Sequence, residues 1–179
     1  MDIDQLIDDV ISREGGYSDH PDDRGGATKF GITQRVAREH GYHGPMRDMP
    51  RTVAERIYRA IYWQAPRFDD VATRAPGVAA ELFDTGVNMG PATATMFLQR
   101  ALNVLNRARR DYPDIARDGR IGPATLGALD RFLELRGPAG KTVLLRALNA
   151  LQGARYIELA ERRPANESFL YGWLANRIG

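Results

Sequence analysis

The spacing of apolar residues along the chain predicts a protein built mostly from helices. Residues 2–13, DIDQLIDDVISR, place their isoleucines, leucine and valine on one helical face. Thr52 and Glu55 form a T-x-x-E capping box before a later helix, and Asn166 is placed to cap the last one. The same spacing predicts further helices over residues 34–40, 53–63, 76–89, 92–108, 124–136, 142–163 and 167–178.

One stretch interrupts this pattern with a dense run of turn-forming and polar residues. Residues 14–33, EGGYSDHPDDRGGATKFGIT, contain repeated glycines and Pro21, which exclude a regular helix. The segment from Tyr17 to Ile32 is expected to form a small β-hairpin. A constrained polar loop beside a helix end is a common place for catalytic groups. We therefore expect a mainly α fold whose candidate site lies at this loop.

Glu14 is the first candidate catalytic residue. It ends the first predicted helix, where Gly15 or Gly16 is expected to supply a left-handed cap. The helix dipole is negative at this end, so it disfavours an ionised carboxylate and favours the protonated acid. A carboxylic acid that stays protonated near neutral pH is what a glycosidase uses to protonate a leaving oxygen.

Two polar residues of the loop, Asp23 and Thr28, complete the candidate site. Asp23 lies nine positions after Glu14, and Thr28 lies five positions further on. A hairpin would fold both residues back opposite Glu14, where a carboxylate and a hydroxyl together can hold and activate a water molecule. The alternative is structural, because Asp and Thr in glycine-rich loops also form local turns with the backbone.

The run E-G-G-Y, followed by P-x-D and by G-G-x-T-x-x-G-I-T, resembles the N-terminal signature of glycoside hydrolase family 108. Members of this family are N-acetylmuramidases of phages and bacteria. The resemblance implies a lysozyme-like, bilobal helical fold with a small β-hairpin near the catalytic loop, and it implies that Glu14 is the catalytic acid. The same residues resemble the Glu/Asp/Thr arrangement of phage lysozymes, with Asp23 and Thr28 in the other two places, although the second spacing is one residue shorter.

The loop departs from the family pattern at two places. The family usually reads Asn-Asp-Pro where this chain has Asp19-His20-Pro21, and Asp-Pro-Gly-Gly where it has Asp23-Arg24-Gly25-Gly26. These differences do not affect Glu14. They leave open whether Asp22 or Asp23 faces the cleft.

The second half of the chain resembles the peptidoglycan-binding region that accompanies family 108 catalytic segments. The resemblance rests on L-Q-R-A-L-N at residues 98–103 and on D-G-R-I-G-P-A-T at residues 118–125. With the ending A-N-E-S-F-L-x-G-W, it extends over nearly the whole chain. We therefore expect a lysozyme-like catalytic region over residues 1–90 and a helical peptidoglycan-binding-like region over residues 91–179, packed as the second lobe of one compact unit.

Five further residues are candidates for binding the substrate. Tyr17, Tyr62 and Trp63 carry rings that can stack on sugars, and core packing is the alternative, especially for Tyr62. Asp84 and Asn88 lie one helical turn apart on a shared face. Their stretch, LFDTGVNMGP, also matches the family. They are expected to line the cleft floor or to orient the catalytic acid; the alternative is a buried polar cap for the neighbouring loop.

Composition narrows the class of protein further. With 179 residues and 43% hydrophobic content, the chain has enough apolar material for a core, but no run approaches the ~20 apolar residues of a membrane helix. The acidic N-terminus does not resemble a signal peptide. There is no cysteine, and the three histidines lack metal-binding spacing, so we expect no disulfide, no metal and no cofactor. No G-x-S-x-G motif and no phosphate-binding glycine loop occurs.

Charge is distributed unevenly along the chain. Residues 1–90 contain 11 basic and 15 acidic side chains, whereas residues 91–179 contain 14 and 8. A basic second half favours an anionic polymer such as cell-wall glycan, lipopolysaccharide or nucleic acid, unless it simply forms a solvated helical surface. Since the motifs indicate the cell wall, we expect bacterial peptidoglycan as the partner. We expect no nucleic acid, no stable membrane insertion and a monomer.

The resemblance predicts an N-acetylmuramidase that cleaves the β-1,4 bond between N-acetylmuramic acid and N-acetylglucosamine. The residues themselves argue only for a carboxylate glycosidase. The expected setting is a phage endolysin, which stays in the host cytoplasm until the membrane is permeabilised and then acts on the wall from the periplasm. Two alternatives are a lytic transglycosylase, which also uses a single Glu, and a non-catalytic cell-wall-binding protein.

Overall fold

The protein is mainly α-helical, with one small β-sheet near its N-terminus. The computed structural model describes residues 2–18 and 26–178. Short strands β1 (Tyr17–Ser18), β2 (Thr28–Lys29) and β3 (Ile32–Thr33) form the sheet. The helices are α1 (Ile3–Glu14), α2 (Gln34–Glu39), α3 (Arg51–Arg59), α4 (Phe68–Ala72), α5 (Pro76–Met89), α6 (Pro91–Leu105), α7 (Pro123–Arg162) and α8 (Glu167–Arg177). The predicted mainly α, lysozyme-like fold class is confirmed.

The chain divides into two compact units, residues 1–65 and residues 66–179. The first contains α1 to α3 and the sheet, and the second contains α4 to α8. The regions expected from the sequence, residues 1–90 and 91–179, place the boundary later in the chain. That functional division stays a prediction.

Helix α1 forms because its apolar residues share one face and its first turn is capped. The Asp2 carboxylate accepts a hydrogen bond from the backbone N–H of Asp4 at 2.9 Å. The helix ends at Gly15, which has φ +80° and ψ −169°. The expected left-handed cap is therefore wrong in ψ, because this conformation belongs to a glycine-only extended region. The buried side chains of the helix are Ile7, Val10 and Ile11.

Two arginines of α3 fasten that helix to α1. Arg51 pairs with the Asp8 carboxylate and also donates to the Ser12 hydroxyl at 3.0 Å. Arg59 pairs with Asp4 one turn earlier along α1. Together these contacts fasten α1 to α3 at points from Asp4 to Ser12, and so restrict the position of the residue that ends α1.

The start of α3 differs from the sequence-based prediction. The helix begins at Arg51 with Pro50 in the N-cap position, so Thr52 lies inside the first turn and does not cap it. Glu55 pairs with Arg51 at 3.4 Å. The capping box is therefore wrong, because Pro50 has a fixed φ near the helical value and needs no partner for an N–H.

The sheet is antiparallel, in the order β1-β2-β3. Thr28 in the central strand lies opposite Ser18 on one side and Thr33 on the other. The turn between β2 and β3 consists of Phe30 and Gly31, both with positive φ (53° and 73°), as a type I′ turn requires. The expected hairpin is thus present and gains a third strand.

The second unit is a set of packed helices whose boundaries follow glycine and proline. Helix α5 begins at Pro76 and ends before Gly90, as the sequence predicts. Helix α7 is broken at Gly137, with φ +56°, just before Pro138. Asn166 occupies the N-cap position of α8, but its side chain donates to the Leu159 carbonyl at 2.9 Å, so the expected cap bond is wrong. In the part of the chain that the structure describes, no helix is long and apolar enough to cross a membrane.

Candidate active site

Glu14 is the last residue of α1, and its side chain is exposed. The β2–β3 turn lies directly against it. A Cβ atom placed on Gly31 would come within 3.0 Å of Glu14 Oε2 and within 2.8 Å of the Tyr58 hydroxyl oxygen. Glycine therefore suits this position, since its φ is +73° and any Cβ would displace the Tyr58 hydroxyl or the Glu14 carboxylate. The turn, the carboxylate and the Tyr58 hydroxyl form one close cluster.

Two tyrosines lie beside this carboxylate. Tyr58 is buried and donates its hydroxyl proton to the Phe30 carbonyl at 3.1 Å. Its ring centroid lies 5.5 Å from that of Tyr62, with the planes tilted by 31°. Burial raises the pKa of both hydroxyls, and the negative charge of Glu14 raises it further. Both hydroxyls therefore stay protonated, so the carboxylate faces neutral, polar neighbours.

The Thr28 hydroxyl forms a structural hydrogen bond. Its hydroxyl donates to the Gly26 carbonyl at 3.3 Å, which is the local turn bond that the sequence left as the alternative. A hydroxyl that donates one hydrogen bond still has lone pairs that can accept a hydrogen bond from water. Asp23, its expected partner, and Asp22 lie outside the described residues. The pairing of Asp23 with Thr28 therefore stays a prediction.

The predicted sugar-stacking rings differ in how much of their surface is accessible. Tyr17 in β1 is 36% exposed, and the guanidinium of Arg47 lies 5.1 Å from its ring centroid. Tyr62 is half-buried beside Glu14. Trp63 lies in a π-helical turn, Ala60–Gln64, and is only 7% exposed. Tyr17 and Tyr62 are therefore more accessible to a sugar than Trp63, and sugar stacking at all three rings stays a prediction.

Asp84 and Asn88 lie on α5, in the second unit. The Asn88 amide donates to the Asp84 carbonyl at 2.7 Å and to its carboxylate at 3.3 Å. The same carboxylate accepts from Gln152 of α7 at 3.2 Å and from Arg177 of α8 at 3.2 Å. Asp84 thus joins three helices, which is a structural role different from the loop cap given above as the alternative. A role for either residue in orienting the acid stays a prediction.

Three residues of interest escaped the sequence analysis: Tyr58, Gly31 and Glu81. Tyr58 is signalled only by its position one helical turn before Tyr62. Gly31 is signalled by Phe-Gly standing between two short strands. Glu81 is an acidic residue among the apolar positions of α5, and it precedes Asp84 by one turn.

Glu81 is a largely buried carboxylic acid, and its Oε1 atom has no hydrogen-bond partner among the described residues. Burial, with a further contribution from the nearby Asp84 charge, raises the pKa of Glu81 from 4.5 to about 7, although a hydrogen bond with Thr85 opposes the shift. The folded protein therefore holds a proton on Glu81 at pH values where the unfolded chain has released it.

We expect this proton to make stability depend on pH. A raised folded-state pKa contributes stability that is complete below pH 4.5 and is lost as the pH rises to about 7. The shift corresponds to a loss on the order of 3 kcal/mol in the free energy of unfolding. Urea unfolding at pH 5 and pH 8 should show this loss in the wild type and not in Glu81→Gln. Glu161→Gln, at an exposed position on α7, should behave as the wild type; equal pH dependence in all three proteins would contradict the buried acid.

A second prediction concerns the contact at Gly31. Gly31→Ala should lose stability, since a residue with a Cβ at positive φ costs roughly 1–2 kcal/mol. It should also lose turnover by on the order of 10²-fold, because the Cβ displaces the Glu14 carboxylate and misplaced catalytic groups are that costly. Gly41→Ala is the matched control: its φ is +84°, and nothing lies within 4 Å of the added Cβ. Similar turnover in the two folded variants would show that the contact with Glu14 is unimportant.

Comparison with known proteins finds one family model that matches each half of the chain. Residues 7–90 match the model of the glycosyl hydrolase 108 family, and residues 93–178 match that of a predicted peptidoglycan domain. No curated protein matches the chain. Among solved structures, it is similar to SagA of Brucella abortus, with 28% sequence identity and a TM-score of 0.66 over 97% of this chain and 87% of that one. The family resemblance seen in the sequence is confirmed. By these matches the chain is a glycoside hydrolase that acts on peptidoglycan, with a glycosyl hydrolase 108 region at residues 7–90 and a predicted peptidoglycan domain at residues 93–178.

Proposed function

We propose that the protein is an N-acetylmuramidase that cleaves the β-1,4 bond between N-acetylmuramic acid and N-acetylglucosamine. The observation that carries this proposal is the exposed carboxylate of Glu14, held against Gly31 beside two neutral tyrosine hydroxyls. It lies within residues 7–90, the part that matches a glycosidase family. An exposed carboxylic acid held in one place is the group that glycoside hydrolysis requires.

In this mechanism Glu14 is the general acid. It donates its proton to the glycosidic oxygen as the bond from that oxygen to the muramic acid carbon breaks. The leaving sugar departs as an alcohol, and the muramic acid ring acquires oxocarbenium character. The ion pairs between α1 and α3 and the contact with Gly31 restrict where the carboxylate can lie. Tyr17 and Tyr62 would bind the sugar rings on either side of the bond.

The second half of the reaction needs a water molecule. We assign the positioning of this water to Thr28 and its deprotonation to Asp23. Because the Thr28 proton is directed to the Gly26 carbonyl, the lone pairs of its oxygen can accept a hydrogen bond from water. Asp23 would take a proton from the water as the oxygen bonds to the muramic acid carbon. The product is a reducing muramic acid end.

The biological setting that we propose is lysis of a bacterial host by a phage. The enzyme would remain in the host cytoplasm until the membrane is permeabilised and would then reach the wall. A glycosidase that carries its own peptidoglycan domain suits this task, since one chain then both binds and cleaves the wall.

The second candidate reaction is lytic transglycosylation. It also uses one acidic residue, but the 6-hydroxyl of the sugar replaces water and gives a 1,6-anhydro product. Product analysis separates the alternatives. Purified wall is digested, the products are reduced with borohydride, and their masses are recorded. We expect reduced muramic acid ends. Anhydro ends would indicate a transglycosylase, reduced glucosamine ends would indicate cleavage of the other bond, and no release would indicate a binding protein.

A further inference from the structure

A groove of about 480 Å³ lies between α6 and α7 in the second unit. Its residues come from three parts of the chain: one face of α6, the connection between α6 and α7, and the middle of α7. All of them lie within residues 93–178, the part that matches the peptidoglycan domain. The groove is lined by Thr93, Met96, Phe97, Arg100, Arg117, Leu151, Ala154, Arg155 and Glu158.

The groove contains two arginines without an acidic partner. In residues 2–18 and 26–178, neither Arg100 nor Arg117 forms an ion pair with a carboxylate, whereas Arg155 pairs with Glu158 at 2.9 Å. The connection between α6 and α7 also contains Arg107, which, unlike Arg117, pairs with an acidic residue, Asp111. Two unpaired guanidinium groups facing one groove attract an anion, and the guanidinium shape matches a carboxylate through two parallel hydrogen bonds.

Two polar residues of α6 fix the chain on both sides of Arg117. The Asn103 amide donates to the Ile115 carbonyl at 2.8 Å and accepts from its N–H at 2.9 Å. The Gln99 amide donates to Asp118 at 2.8 Å and accepts from the Gly119 N–H at 3.0 Å. These bonds explain the spacing of L-Q-R-A-L-N and D-G-R-I-G-P-A-T. Because the backbone of this segment is fixed, only the Arg117 side chain has to be ordered when it binds a ligand.

Beside these arginines the groove also has an apolar strip. Met96 is 39% exposed, and Phe97 and Leu151 lie beside it. A second cavity, of about 510 Å³, is lined by other residues of α6 and α7, and its lining is more uniformly apolar. The one arginine in that lining, Arg136, pairs with Asp111 at 3.3 Å. Of these two cavities, the groove with Arg100 and Arg117 is the one that combines unpaired cations with an apolar strip. That combination suits a small peptide with carboxylates and methyl groups.

We propose that this groove binds the peptide stem of peptidoglycan, with stem carboxylates on Arg100 and Arg117 and alanine methyl groups on Met96 and Phe97. The inference rests on the proposed action on peptidoglycan and adds a recognition element far along the chain from Glu14. Glu158 disfavours a polyanion in the same groove, whereas a stem peptide carries amino groups as well as carboxylates. The wall is thereby recognised through its peptides and cleaved in its glycan.

The test is a calorimetric titration with the free stem peptide, which contains alanine, glutamate and diaminopimelate but no sugar. We expect Arg100→Gln/Arg117→Gln to weaken binding by roughly tenfold for each arginine, as expected for charge-assisted hydrogen bonds. Arg146→Gln/Arg162→Gln is the control, because it removes the same charge from exposed positions of α7 outside the groove. All of these side chains are exposed, so the variants should fold.

Three results would overturn the proposal. The first is equal binding of the stem peptide by the two double variants. The others are that the wild-type protein binds peptide-free glycan but not the stem peptide, or that it binds inorganic polyphosphate more tightly than the stem peptide. The free peptide has no glycosidic bond, so its binding does not depend on cleavage. A wild-type protein that binds the stem peptide but releases nothing from purified wall would overturn the proposed function alone. Normal cleavage without stem binding would overturn this inference alone.

Discussion

A Glu14→Gln protein is expected to lose nearly all lysis of purified wall while keeping its stability. The substitution preserves the shape of the side chain but removes the proton that the glycosidic oxygen needs. General acid catalysis contributes typically ~10²–10⁴-fold, and more where bond cleavage depends on it. Stability should be unchanged, because Glu14 is exposed and, among the described residues, forms no ion pair. The measurements are the release of soluble muropeptides and the thermal unfolding midpoint.

Glu39→Gln provides the matched control for this variant. Glu39 is also an exposed glutamate that ends a helix, but it pairs with Arg35 on the surface of α2. We expect wild-type lysis from it, because an exposed pair contributes little to stability and Glu39 is not part of the site. Wild-type lysis by Glu14→Gln, or equal losses in both variants, would contradict the role of Glu14.

Thr28→Val and Asp23→Asn are expected to lower turnover while leaving substrate affinity nearly unchanged. Thr28→Val keeps the shape of the side chain but removes the oxygen that would accept a hydrogen bond from water. Asp23→Asn removes the carboxylate that would accept the proton. Each loss should appear in kcat and not in KM, by on the order of 10²-fold or more, since the water is needed only as the bond is made. Steady-state kinetics on soluble glycan oligomers measure this.

Thr33→Val separates a chemical effect from a structural one. Thr33 lies opposite Thr28 in the sheet, and its hydroxyl caps α2 by accepting from the Val36 N–H at 3.4 Å. Losing this cap should cost about 1 kcal/mol of stability without changing kcat in the folded protein. If Thr28→Val gives this same pattern, the Thr28 hydroxyl has only its structural bond to Gly26, and no water is held there.

Local signals in the sequence were sufficient for most of the helices. Helix α5 begins and ends as predicted because proline and glycine mark its two ends. Helix α4 was missed because its five residues are too few for a periodic pattern. The capping box at Thr52 failed because two start signals competed and Pro50 prevailed. At Gly15 the sequence indicated a glycine-specific backbone, but it could not distinguish between two such conformations.

From the sequence, only the site residue that lies within one recognisable motif could be predicted. Glu14 could be selected because a helix end, a glycine pair and a family pattern coincide there. The contacts of Tyr58 with the Gly31 turn could not be selected, since they join segments 27 positions apart through the packing of α3 on the sheet. The pKa of Glu81 likewise arises from burial, which a single helix does not reveal.

The central claim is that Glu14 protonates the glycosidic oxygen and that water then bonds to the muramic acid carbon. Its most direct test is digestion of purified wall in heavy-oxygen water, with rapid borohydride reduction and mass spectrometry of the products. We predict reduced muramic acid ends that each carry one heavy oxygen, formed by the wild type and almost absent with Glu14→Gln. Unlabelled 1,6-anhydro ends, or labelled ends formed equally fast by Glu14→Gln, would contradict the account.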